Sequence, residues 1–389
     1  MPHSTELFQR SAYAADMAQQ LLRPSALQLN LRSGVFLSGI RRVGKTTFLR
    51  QDLVPALEAL GALVIYVDLW SDRSKNPSAL VLEAVRQTLV ELQSPGSGLL
   101  QRLKGLSLGA VGLSFSFQVD GLGSPGGATL AQAVVELVEL AKVDVVLMVD
   151  EVQHATFSDD GIHLLHAIKA ARDAVNPRPD MPGHFIFLGT GSHKSLVTEM
   201  ASRRTQPFSG AVAADYQVLG EDFVSWQLER IRASTPGARL PSLACASRGF
   251  HSLGHRPEEL LKALVQLQNT SMAPDPAFEL ICQTLASTVA DVELRQLDEL
   301  GPLARLLFDR IAAAPERGAT GLFRTQALAD YSGAMHARVD APQVQGTVDK
   351  LVSAHLIMRA GHGLYQIADP FLRQVWREHK ALSSHKAAP

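Results

Sequence analysis

The sequence predicts an α/β chain: a parallel sheet covered by helices on both faces, followed by smaller helical modules. Three observations carry this expectation. Up to about residue 220, short apolar runs of strand length alternate with stretches of helical periodicity. Those runs are nearly continuous in apolar residues, as strands buried on both faces must be. Beyond Glu221 the strand signal stops, and helical periodicity broken by proline-rich turns takes over.

Residues 11–22 read as a short amphipathic helix leading through 27–31 into a first strand at 34–38. Directly after that strand comes Gly39-Ile40-Arg41-Arg42-Val43-Gly44-Lys45-Thr46, with Thr47 behind it. The spacing is that of the phosphate-binding loop, and strand, glycine-rich turn and helix is the order the loop requires. Gly39 and Gly44 are expected to take positive φ, so that backbone N–H groups and the helix N-terminus can cradle an anion. Lys45 then reaches the β- and γ-phosphates of a nucleotide, and the Thr46 hydroxyl ligates Mg²⁺. Phe48, Leu49, Leu53, Leu57 and Leu60 form the buried stripe of the helix at 46–60.

A second strand is expected at 62–68 and a helix at 76–93. Residues near 95–127 open and close on glycine-rich turns and alternate small with apolar residues between them. They read either as a glycine-rich hairpin inserted in the core or as a mobile loop with a weak strand signal. A helix follows at 129–142, then a third strand at 143–149, a helix at 161–175 and a fourth strand at 184–188. The third strand runs Val145-Val146-Leu147-Met148-Val149 into Asp150-Glu151. An apolar strand tipped by two acids, about a hundred residues after the loop, supplies the other half of a nucleotide site. Asp150 holds Mg²⁺ through its outer shell, and Glu151 orients and deprotonates the attacking water.

From residue 301 the pattern gives three helices, at about 303–311, 324–331 and 342–355, then a hairpin across 356–367. Three helices and a hairpin make a winged helix-turn-helix. It carries eleven basic and seven acidic residues, a modest bias toward phosphate. Gln343, Gln345 and Lys350 are the main polar reach of its third helix, with Arg359 and His362 near the wing. Three domains are therefore expected: 1–220, 221–299 and 300–389.

Composition excludes several classes. With 46% apolar and 19% charged residues and a net charge of −1, the chain has no global pull on nucleic acid or membrane. No apolar run approaches a membrane span, and residues 1–10 lack a signal pattern, so a soluble, cytoplasmic protein is expected. Cys245 and Cys282 read as buried small residues. His163 and His166 lie one helical turn apart, but no carboxylate or cysteine completes a metal site with them.

Several features together resemble the archaeal-type ATPases, a STAND branch of the AAA+-related P-loop ATPases. They are the loop with Arg41-Arg42 inside it, Asp150-Glu151-x-Gln153, Gly191-Ser192 after the next strand, a helical lid and a C-terminal winged helix. The likeness spans about 30–375. It implies ATP with Mg²⁺, and a sheet of order 5-1-4-3-2. It also implies a polar sensor for the γ-phosphate or water at Ser192 or Thr190, the alternative for both being a turn before the next helix. The family's Pro-Leu-Tyr-Gly-Arg stands here as Pro207-Phe208-Ser209-Gly210-Ala211, so its arginine is missing. Arg203 and Arg204 either substitute for it or are solvated helix-end charges. Gly254-His255-Arg256-Pro257 stands for Gly-Gly-x-Pro; Arg256 is either a sensor arginine or an exposed residue before a proline-started helix. Arg41 and Arg42 touch nucleotide or a neighbouring subunit. The expected activity is a slow, nucleotide-controlled switch or assembly ATPase with a homo-oligomeric or protein partner. The alternatives are an ATPase acting on duplex DNA through the winged helix, and a signalling or defence sensor.

Overall fold

The computed structural model describes residues 7–72, 74–94, 116, 118–192, 194–202, 206–315, 318–354, 356–361, 363–368, 372–373, 375–377 and 380. Most of the expected hairpin (95–115 and 117), Arg203, Arg204, His355 and His362 lie outside the described residues. The chain divides into two compact units, residues 1–39 with 45–217 and residues 40–44 with 218–389.

The first unit begins with α1 (Ser11–Leu22), which buries Ala14, Ala18, Leu21 and Leu22 at helical spacing. Residues 29–33 form a 3-10 turn and β1 (Val35–Ser38) follows, buried at every position. The helix after the loop is not regular. It starts as α2 (Lys45–Phe48), widens into a π turn (Leu49–Leu53) and resumes as α3 (Val54–Ala59). The π turn brings Asp52 inward to 8% exposure, where its carboxylate accepts the Arg10 backbone N–H at 2.8 Å. Leu60, expected on the buried stripe, lies beyond the helix end and is 39% exposed.

Next come β2 (Leu63–Asp68), α4 (Pro77–Gln93), α5 (Leu130–Ala141) and β3 (Val145–Asp150). A capping box closes the start of α5: Thr129 and Gln132 satisfy each other's backbone N–H groups. Then follow α6 (Asp159–Val175), β4 (Phe185–Gly191), α7 (Lys194–Ser202) and β5 (Val212–Asp215). The sheet order is β2-β3-β4-β1-β5 with every neighbouring pair parallel. Read from the other edge this is the 5-1-4-3-2 order that the resemblance implied. Burial follows position in the sheet. Central β3 and β4 are buried throughout, whereas edge strand β2 alternates. β4 runs three residues further than the apolar pattern suggested, through Gly189, Thr190 and Gly191. Thr190 is thus a strand residue and not part of a turn. The core lies between the sheet and its helices, with Phe36, Leu89, Leu137, Leu147, Ile168 and Phe187 among its members.

The second unit is helical at first: α8 (Glu221–Ser234), α9 (Leu243–Ser252), α10 (Pro257–Leu267) and α11 (Pro274–Glu299). α9 had no counterpart in the sequence reading. After it come α12 (Pro302–Ala313), β6 (Ala319–Thr320), α13 (Thr325–Met335), α14 (Ala341–Ser353), β7 (Ile357–Gly361) and β8 (Leu364–Ile367). The three strands form an antiparallel sheet of order β6-β8-β7. Gln343, expected to reach outward, is instead half of a capping box with Asp340 at the start of α14. Cys245 and Cys282 are free and buried, and burial pushes their thiols up to about 11 and about 12. Among the described residues, no helix is long and apolar enough to cross a membrane.

Candidate functional site

The parallel ladder fixes where the site can be. β1, β2, β3 and β4 all end at one edge of the sheet, and in an open α/β sheet ligands bind beyond the carboxyl ends of the strands. Asp68 ends β2, Asp150 ends β3, Gly191 ends β4 and Ser38 ends β1. The glycine-rich loop leaves from Ser38, and its first N–H, that of Gly39, donates to the Gly191 carbonyl at 3.1 Å.

The loop's conformation departs from expectation in one respect. Gly44 takes φ +89°, but Gly39 is not in the left-handed region; Arg42 is, at φ +66°. Gly39 is needed for room: a Cβ there would lie 2.9 Å from the Tyr216 Cβ and 3.3 Å from the Lys45 Cδ. Lys45 is buried, at 6% exposure, and its ammonium donates to the Gly39 carbonyl. Val43 is buried too, while Arg41, Arg42, Thr46 and Thr47 are exposed and Ile40 is half-buried.

Asp150 is the hub. It is fully buried, and four donors meet its two oxygens. Thr46 donates its hydroxyl to Oδ2 at 2.6 Å and Tyr66 donates to the same oxygen at 3.1 Å. Thr190 donates to Oδ1, which also accepts the Glu151 N–H at 3.0 Å. Thr190 therefore faces the buried Asp150 carboxylate. Burial first, then the Asp150 and Asp68 charges, push the Tyr66 hydroxyl well above its usual range, so it stays a donor. Burial likewise raises the Asp68 carboxyl, helped by Asp150 and Glu151 and opposed by the Trp70 N–H it accepts at 2.7 Å.

Glu151 forms a second cluster. Its backbone is left-handed at φ +54°, uncommon for a residue with a side chain. Ser192 donates to Glu151 Oε2 at 2.8 Å; Gln153 donates to the same oxygen and, at 3.2 Å, to Ser192 Oγ. Arg256 belongs to the second unit, at the N-cap of α10, and is buried at 5% exposure instead of being an exposed pre-proline arginine.

Tyr66, Asp68 and the Arg10–Tyr216 pair escaped sequence reasoning. The Arg10 guanidinium lies 4.6 Å from the Tyr13 ring centroid and 5.3 Å from that of Tyr216, and donates to the Tyr216 hydroxyl at 2.9 Å. The Asp at the end of the β2 run was the one available signal, since it matches Asp150 in position on its own strand. Among the described residues no group of three or more His, Cys, Asp or Glu could hold a metal ion. Thr46 Oγ1 and Asp150 Oδ2 fit Mg²⁺ differently, as hard oxygen donors that would share the ion with phosphate and water.

No protein-family profile matches the sequence, and no curated protein matches it. Solved structures do. The chain is similar to the Walker-type ATPase PABY2304 of Pyrococcus abyssi, at 19% identity and a TM-score of 0.55 over 93% of this chain and 95% of that one. It is similar to the Aeropyrum pernix ORC2 protein in its ADP form, at 14% identity and a TM-score of 0.55 over 99% of this chain and 96% of that one. The chain has the P-loop NTPase fold: a parallel five-stranded sheet followed in sequence by a helical region.

Proposed function

We propose that this chain binds and hydrolyses ATP with Mg²⁺, as a switch or assembly ATPase whose nucleotide state governs oligomerisation or partner binding. The observation that carries the reading is the 2.6 Å approach of the Thr46 hydroxyl to the Asp150 carboxylate. It brings the loop hydroxyl and the strand-end acid, 104 residues apart in sequence, to one point. In this reading residues 39–47 wrap the phosphates and Lys45 neutralises the β- and γ-phosphates. Thr46 and Asp150 hold Mg²⁺, which would supply charge neutralisation at the transferring phosphoryl group. Glu151 takes the proton of the attacking water, Ser192 keeps Glu151 in place, and Thr190 orients Asp150. The preference for ATP comes from the family resemblance.

The domains proposed are an ATPase core to residue 220, a lid at 221–299 and a winged helix from 300. The winged-helix reading is supported by three helices and the β6-β8-β7 sheet. Three of the groups expected to read DNA are engaged at home. Gln343 caps its own helix, Gln345 donates to Asp349 at 2.9 Å, and Arg359 pairs with Asp349 at 2.5 Å. This favours protein contact over base reading. The arginine that completes the site is proposed to be Arg203 or Arg204 reaching from a neighbouring subunit, with Arg256 as the alternative.

The test is ATP hydrolysis measured with and without duplex DNA, across a range of protein concentrations, alongside mass in solution. The switch reading expects turnover per subunit to rise with assembly and to ignore DNA. Turnover stimulated by DNA would replace it with a DNA-acting ATPase. A concentration-independent rate that survives Arg203→Ala/Arg204→Ala would remove the trans arginine.

A further inference from the structure

We infer that Gln153 is a positioning residue for the Glu151 carboxylate, and that Gly191 is glycine so that the Gln153 amide can occupy its place. The inference rests on the hydrolysis proposed above and concerns how its base is held.

Three independent observations converge. The first is the backbone of Glu151, which sits in the left-handed region at φ +54°, ψ 40° and opens the 3-10 turn Val152–Phe157. A side-chain-bearing residue takes that conformation only where its surroundings impose it. Here it reverses the chain after β3, so that Gln153, two residues on, faces back toward Glu151. The second is the hydrogen bonding. The Gln153 amide spends one N–H on Glu151 Oε2 and the other on Ser192 Oγ, and Ser192 spends its hydroxyl proton on the same Oε2. The three side chains close a ring with every proton assigned. Oε2 is saturated by two donors, which leaves Oε1 as the oxygen able to accept a proton from water.

The third is packing. Gln153 is fully buried, which orders a long, rotamer-rich side chain at an entropic cost that its two bonds must offset. Its Oε1 lies where a Cβ on residue 191 would be: an alanine there would meet that oxygen at 2.4 Å and the Val197 Cγ2 at 2.6 Å. Gly191 has no positive φ to explain it. Its hydrogen in place of a methyl group leaves room for the Gln153 amide beside the Val197 side chain. A glutamate has three side-chain torsions, and misplacing a catalytic group by about 1 Å can cost about a hundredfold in rate. Gln153 removes that freedom without touching nucleotide.

The experiment is steady-state ATP hydrolysis together with equilibrium binding of a fluorescent ATP analogue, for wild type, Gln153→Met and Gly191→Ala. Gln153→Met keeps the side-chain volume and removes the donors; Gly191→Ala keeps the donors but crowds the amide through its Oε1, with Val197 crowded as well. Both are expected to lower kcat by about 10- to 100-fold while analogue affinity stays within about threefold. If both variants keep kcat within about twofold of wild type, the inference is overturned while the ATPase reading stands. Equal losses of affinity and kcat overturn it as well, because they mean a merely structural glutamine. A variant that does not fold leaves the other to decide. A wild type that binds no nucleotide overturns the ATPase reading, and this inference with it.

Discussion

Asp68 and Asp150 are Cα partners on the parallel β2–β3 ladder, so two carboxylates end adjacent strands side by side. The Asp68 carboxyl is raised above its usual range by burial and by Asp150 and Glu151. For an acid raised in this way, the folded state favours the neutral form. Stability is complete below the unfolded pKa and is lost as pH rises through the folded one. Asp68→Asn should therefore raise the thermal midpoint at pH 7 in EDTA by roughly 2–4 °C, the scale of about 1 kcal/mol in a domain this size. The gain should vanish near pH 3 and shrink when Mg²⁺ and ATP are added. Equal midpoints at pH 7 in EDTA would show that ionised Asp68 carries no such cost in the folded chain.

Lys45→Ala should weaken ATP binding by roughly a hundredfold or more, because it removes the buried ammonium aimed into the loop. Titration with a fluorescent ATP analogue reads this directly. Unchanged affinity would mean that the loop holds no phosphate.

Glu151→Gln should bind ATP as wild type does and lose turnover by about 10²–10⁴-fold, since the amide can hold water but cannot take its proton. Single-turnover hydrolysis with pre-bound nucleotide separates the two steps. Wild-type turnover in this variant would place the base elsewhere.

His255 occupies a left-handed position, φ +55°, where the resembled family has glycine. Its Nδ1 faces the Leu219 carbonyl at 2.9 Å and so carries the proton; its Nε2 then accepts from His251 Nδ1 at 3.0 Å. Burial first, and His251 after it, hold its pKa below the usual histidine value. A histidine depressed in this way keeps its stability above the unfolded pKa of 6.5 and loses it as pH falls through the folded value. The chemical-denaturation midpoint should fall between pH 7 and pH 5. His255→Gly should flatten that fall and, by relieving the left-handed backbone, cost less than about 1 kcal/mol at pH 7. An identical pH dependence in the variant would remove His255 from the explanation.

What the sequence disclosed depended on burial. β3 is buried on both faces and reads as an unbroken apolar run ending in Asp150 and Glu151. The site acids were legible because the sheet centre leaves no room for anything else there. β5, implied by the resemblance, was not located in the residues, for the opposite reason. Val212-Ala213-Ala214-Asp215 is an edge strand of small, mostly exposed residues, and its pairing with β1 decides its state, not its propensity. α9 was missed because its buried stripe, Cys245, Ala246, Gly249 and Phe250, is short and made mostly of small residues. At the loop, the motif located the glycine-rich turn but not which residue turns left-handed; Arg42 takes the conformation assigned to Gly39. The Gln153–Glu151–Ser192 ring joins two strand ends and could be seen only once β3 and β4 were adjacent.

The π turn at Leu49–Leu53 changes what a one-residue change of length would do. In a regular helix, adding or removing a residue rotates one end against the other by about 100°. A π turn is an extra residue already absorbed, so a deletion there would restore ordinary pitch and leave both ends in phase. What would be lost is the inward turn of Asp52, and with it the anchor of Arg10 and the guanidinium stacked between Tyr13 and Tyr216. The tie between the start of the chain's first helix and the helix that follows the glycine-rich loop is thus set by helical phase, and loss of a single codon could uncouple them while leaving residues 39–47 unchanged.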